Sequence, residues 1–253
     1  MRAYELIKET FCKKRYILII HLSWLILCGI FCCFFSMSAS EFGRFIFLWG
    51  GCFLALALSA GIFGDDISSG RICIIVTKPF WLGELYIYRL LGLSLQAAVD
   101  FILVWCIIFI LHILMRKVST DGLALWLFAS WLLFNTCAAL STSLSVVVER
   151  AYNALILLVV IVTAFIVADP LMEYLKEQAE TGVLVSFTRF ACPPFKMLYE
   201  FAGGEYDKNI LTVVRFSLAK SVACVVHSLI LTVVYSVVGI VLLSRRQFSC
   251  RRD

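Results

Sequence analysis

Six apolar runs, each long enough to cross a lipid bilayer, leave this chain little choice of fold. They lie near residues 17–36, 45–63, 92–114, 123–147, 153–169 and 221–243. Spanning a hydrocarbon layer of about 30 Å takes about 20 predominantly apolar residues in a helix. Lipid offers no hydrogen bonds, so each run has to satisfy its own backbone, and helices do that segment by segment. The chain is 62% hydrophobic and only 15% charged, whereas soluble domains carry about 25% charged residues. The expected fold is an all-α polytopic membrane protein of six transmembrane helices, one domain over residues 1–253.

Charge position then sets the expected topology. Arg2, Lys8, Lys13, Lys14 and Arg15 precede the first run; Arg245, Arg246, Arg251 and Arg252 follow the last. Flanks rich in Lys and Arg stay cytoplasmic. With six spans both ends fall on that side, and so does the loop 64–91. The loop 37–44 carries a single basic residue, Arg44, while Arg116 and Lys117 in the other short outer loop are a mild counter-signal. The net charge of +5 is therefore an orientation signal, and nucleic acid is not an expected partner. The localisation expected is a cell membrane, with the lipid bilayer as a partner along the spans.

Ahead of the first run, Tyr4, Ile7 and Phe11 recur at helical spacing with Lys8 and Lys14 elsewhere on the wheel. This predicts an amphipathic helix lying in the interface. The small-residue stretch Ser36-Met37-Ser38-Ala39 resembles a peptidase site, yet the apolar run before it exceeds a usual signal core, and a retained helix is expected. Most of the eleven cysteines fall inside apolar runs, where Cys acts as a small hydrophobe. Cys28 and Cys32 share a helix face, with Cys33 adjoining, so a soft-metal site is the alternative to packing there. Gly51, Ala55 and Ser59, and likewise Ala57 and Gly61, recur four apart and allow close helix approach, either within one chain or between subunits. The stretch Asn135 to Ser145 has the same small, hydroxyl-rich character.

Two polar residues interrupt the third run, Gln96 and Asp100. An ionisable group within a span is costly and faces the bundle interior or water. Either it lines a translocation path, with Asn135 of the fourth span as a further candidate, or it makes a structural hydrogen bond. The fifth run ends at Asp169-Pro170, a cap followed by a first-turn proline. A short amphipathic helix, PLMEYLKEQAE, is therefore expected outside the membrane. The following stretch, broken at Pro193-Pro194 and Gly203-Gly204, is expected to form interfacial helices or a half-buried hairpin within an extracytoplasmic region 170–220. His227 in the last span has no ligand partners at useful spacing and is expected to pack.

The most structured polar segment is the loop itself, which holds the acidic pair Asp65 and Asp66, a break at Gly70, Arg71, an amphipathic turn and a stop at Lys78-Pro79. GDDISSGR is not a phosphate-binding loop: five residues separate its glycines, Arg71 replaces the lysine and Ile72 replaces Ser or Thr. No metalloprotease or nucleophile-elbow motif occurs either. The chain is expected to be no enzyme and to carry no cofactor.

Asp66-x-x-x-Gly70, an apolar turn ending Thr77-Lys78-Pro79, Gly83-Glu84-Leu85 and Arg89-Leu90-Leu91-Gly92 together resemble one loop of the ABC-2-type permeases, the export-type membrane subunits of ABC transporters. In that family the loop runs acidic-x-x-x-Gly-Thr, an apolar turn, Ser-x-Pro and a Gly-Lys before the third span. Here Arg71 stands where Thr is usual, Thr77 where Ser is common and Arg89 near the usual Lys. The likeness covers about thirty residues directly, and the six spans, amphipathic start and broken outer region extend it loosely. It implies a permease subunit that works as a dimer of membrane domains, identical or paralogous, with separate ATP-binding subunits holding ATP and Mg. It also implies that residues 65–79 form a coupling helix seated on the ATPase, with Asp65, Asp66, Gly70, Arg71, Lys78 and Pro79 at that contact. A non-transporting membrane scaffold is the alternative, distinguished by whether a nucleotide-binding subunit co-purifies. An intramembrane enzyme acting on lipid through Asp100, Asn135 or His227 is a third, disfavoured because no spacing brings those residues together.

Overall fold

The computed structural model describes residues 2–13, 15–34, 47–72, 81–115, 122–163, 193–203 and 218–246. Among these residues every regular element is helical and there is no strand. Helix α1 (Arg2–Lys13) is followed by α2 (Arg15–Phe34). A π-helical segment, Phe47–Phe53, runs into α3 (Leu54–Ser59), followed by the short α4 (Gly64–Ser68). Then come α5 (Leu82–Met115), α6 (Leu123–Leu144), α7 (Arg150–Val162), α8 (Phe195–Gly203) and α9 (Leu218–Arg245).

Among the described residues four segments are long and apolar enough to cross a membrane: Gly50–Ser68, Leu82–Ile110, Leu123–Leu144 and Ser221–Arg245. The chain is a helical membrane protein. The expected first span falls on the 20-residue α2, about 30 Å long at 1.5 Å per residue. The expected fifth span is present as the 13-residue apolar helix α7, and its remainder, 164–169, lies outside the described residues. So does the expected outer helix after Pro170.

Helix α6 is the hub. It packs against α9, the π-helical segment, α5, α3 and α8, and buries Trp126, Phe134, Ala138 and Ala139 completely or nearly so. Its small residues make this possible, because backbones approach closely where side chains are short. A Cβ at Gly51 would lie 3.0 Å from the Leu133 side chain and from the Ser130 carbonyl. The Gly51, Ala55, Ser59 repeat is therefore packed within the chain, with Ala55 and Ser59 fully buried. Hydroxyls stitch α6 to α9, where Thr136 Oγ1 lies 3.4 Å from both the Ser228 carbonyl and Thr232 Oγ1. Asn153 of α7 donates to the Ser141 carbonyl at 2.9 Å.

Helix α5 begins at Leu82, not near residue 92, because Tyr86, Arg89 and Gly92 are packed. The Tyr86 ring lies against Gly239 of α9, where a Cβ would come within 2.5 Å of it. Its hydroxyl donates to the Ala139 carbonyl of α6 at 3.2 Å. Three helices thus meet at one residue. On another side of α5, α1 crosses at Gly92, where a Cβ would sit 2.8 Å from Thr10 Cβ. Helix α8, opened by Pro193-Pro194, buries Phe195, Leu198 and Ala202 and packs on α6.

Candidate functional site

The second membrane segment ends in a break. Ala60 leaves the helical conformation (ψ 124°) and Gly61 adopts φ +75°, a left-handed geometry costing other residues about 1–2 kcal/mol. The Arg150 side chain lies across Gly61, so close that a Cβ there would come within 2.7 Å of its Cγ. Beyond the break α4 makes one turn with Asp65 and Asp66 at its start, where acidic groups suit the helix dipole. It stops at Ser69, whose N–H bonds the Asp65 carbonyl at 3.2 Å, and Gly70 N–H bonds the Ile67 carbonyl at 3.1 Å. Gly70 takes φ +69° with open space around it, the left-handed termination that glycine favours after a helix.

The loop is not free of the bundle. Asp66 is only 2% exposed, and its Oδ2 accepts from Arg89 Nη2 at 3.0 Å. Arg89, fully buried, also donates through Nη1 to Thr10 Oγ1 at 3.1 Å and through Nη2 to Glu9 Oε1 at 3.3 Å. Glu9 Oε1 in turn meets Arg71 Nη2 at 2.8 Å. One guanidinium from α5 thereby joins helix α1 to the start of the loop. The Arg89 Nε has no partner, so the buried charge leans on Asp66, Glu9 and Thr10. Removing one partner of a buried pair costs about 3–5 kcal/mol, mostly from the stranded charge. Asp65 faces outward and approaches Arg150 Nη1 at 3.8 Å, with both side chains partly exposed, an arrangement worth about 0–1 kcal/mol.

The six loop residues expected at a partner surface thus divide. Asp65, Gly70 and Arg71 reach the surface, Arg71 with 48% of its side chain exposed. Asp66 is internal and acts as a brace. Lys78 and Pro79 lie outside the described residues. Glu9 and Thr10 complete the site, although the sequence singled out neither. Both meet α5, through Arg89 and, for Thr10, also at Gly92, whereas Tyr4 of the expected apolar face is exposed.

Of the candidate path residues, Gln96 and Asp100 are fully buried one turn apart on α5. Asn135 lies on α6, half-buried, donating from Nδ2 to the Trp131 carbonyl at 2.8 Å. The partner of Asp100 is His21 of α2, bonded through Nδ1 to Oδ2. Sequence reading passed over His21, yet two ionisable residues in separate apolar spans are mutual candidates, since each needs a partner. An apolar groove of about 300 Å³ lies between α5 and α6, walled by Phe101, Trp105, Phe128 and Trp131. No group of three or more His, Cys, Asp or Glu is placed to hold a metal among the described residues; the side chains of Cys28, Cys32 and Cys33 lie outside them. No protein-family model matches this chain, and no curated protein matches it.

Proposed function

We propose that this chain is the membrane-spanning permease subunit of an ATP-binding cassette transporter, oriented with both termini and the 64–91 loop in the cytosol. Its work is to move a substrate across the membrane by alternating access, driven by separate ATP-binding subunits. The observation that carries this reading is the Asp66–Arg89 pair braced by Glu9 and Thr10. A loop that transmits force has to be fixed to the helices it moves, and a buried guanidinium fixed at three points does that better than solvated side chains. The outward residues Asp65, Gly70 and Arg71 are then the surface offered to the ATPase. Pushing on that surface displaces α4, α1 and the start of α5 together. In this scheme two membrane subunits pair, and ATP and Mg stay on the partner.

The test is purification of the tagged chain from its native membrane in mild detergent. A stoichiometric ATP-binding subunit is expected, with vanadate-sensitive ATPase activity in the complex. Arg71→Glu should weaken that association while leaving the membrane subunit folded. Recovery of the chain with no nucleotide-binding partner overturns the reading and favours a non-transporting scaffold.

A further inference from the structure

Between α2 and α5 the bundle buries three polar side chains that the braced loop does not use. His21 of α2 and Asp100 of α5 are bonded to one another, and their side chains are 9% and 0% exposed. Gln96, also fully buried, sits one turn before Asp100 on the same helix face. Asp100 is the only Asp, Glu, Lys, Arg or His between Leu90 and Ile110. It lies ten residues from either end of that stretch, about 15 Å at 1.5 Å per residue. That places it at the middle of a ~30 Å hydrocarbon layer.

Four polar atoms here are buried without a hydrogen-bond partner: His21 Nε2, Asp100 Oδ1 and both amide atoms of Gln96. The contacts of α6 with α9 and α7 use neutral hydroxyls and an amide, as at Thr136 with Ser228 and at Asn153 with Ser141. Those contacts hold helices together without a titratable group. The α2–α5 contact instead uses a base and an acid, and the base keeps a nitrogen open. Intramembrane Asp and His pairs of this kind are the usual parts of proton relays.

We propose that His21 and Asp100 form a proton-binding site within the membrane, with Gln96 as the adjoining hydrogen-bonding group. In the unloaded pair the imidazole is neutral, Nδ1–H donates to the Asp100 carboxylate and the Nε2 lone pair is free. Loading transfers one proton from a hydronium ion to Nε2, leaving a water molecule and a net-neutral imidazolium–carboxylate pair. Release reverses the step and leaves a net charge of −1. The surroundings keep this exchange local. Helix α6 carries no Asp, Glu, Lys, Arg or His between 123 and 144. Helix α9 contributes His227 and Tyr235, both half-buried, and on α5 the nearest charge is Arg89, about 16 Å along the helix at 1.5 Å per residue. The inference does not rest on the permease reading, because it concerns proton binding alone.

The experiment is pH-jump infrared difference spectroscopy on the full chain in nanodiscs of phosphatidylcholine and phosphatidylglycerol. Carboxyl and imidazole bands that titrate together are expected. Asp100→Asn should abolish the carboxyl band, and His21→Gln should remove the imidazole band and with it the coupled change of the carboxyl band. Circular dichroism checks that each variant keeps its helix content. Should either variant misfold, the wild-type protein labelled with ring-¹⁵N histidine and carboxyl-¹³C aspartate reads the same titration by NMR. Bands that survive both substitutions unchanged, or nitrogen and carboxyl shifts for this pair that stay flat with pH, overturn the proposal.

Discussion

Asp66 and Arg71 differ by five positions and by the whole logic of their environments. Asp66 neutralises a guanidinium that has no exposed surface, so Asp66→Ala should lower unfolding stability by about 3–5 kcal/mol. Arg71 meets Glu9 near the surface with 48% of its side chain exposed, so Arg71→Ala should cost no more than about 1 kcal/mol. Thermal unfolding of the two variants in one detergent checks the contrast; equal losses would mean that Asp66 is not the buried brace. Both ends of the buried pair were legible as members of a motif. Their contact was not, because residues 23 apart on either side of a turn carry no pairing signal in composition or periodicity. Glycine was more informative. Gly70 marked a break and takes positive φ, the conformation that a side chain resists; Gly61, read as a small packing residue, takes it too.

At the scale of elements, apolar run length located the long helices well and their ends poorly. The third helix starts at Leu82 because Tyr86 and Arg89 bury themselves against neighbours, an outcome of packing that a hydropathy window reads as polar loop. The fifth run, 153–169, is helical as far as Val162 in α7, and residues 164–169 lie outside those described. A helix over α1 was legible from its 3.6-residue period, but not its seat on Gly92 of α5. That seat gives a prediction of its own. A Cβ at Gly92 would lie 2.8 Å from Thr10 and 3.1 Å from the Ile7 carbonyl, so Gly92→Val should lift α1 and loosen its grip on Arg89. Hydrogen exchange should then quicken across residues 5–10 and 64–70 together. Faster exchange in α1 alone would show that the loop is held without it.

For the molecule as a whole, the hub helix α6 decides which changes are tolerated. Its faces are taken up by Gly51, Thr232 and Asn153 from three other elements. Enlarging Ala138 or Ala139, both fully buried, should therefore cost about 1–3 kcal/mol by overpacking, measured as lost thermal stability of the full chain. Membrane character was plain in the sequence, since apolar composition and run length report directly on solvent. The His21–Asp100 contact was half legible: Asp100 announced itself, and its partner required knowing that α2 lies against α5.

The seat of Tyr86 also limits how these helices can move. Its ring occupies the notch at Gly239 while its hydroxyl is tied to the Ala139 carbonyl. Sliding α9 lengthwise past α5 would bring Tyr235 or Leu243, four residues away on the same helix face, toward the aromatic ring, a collision, whereas tilting about the notch keeps the ring in place. The bundle is thus built to rock about a fixed pin and not to work as a piston.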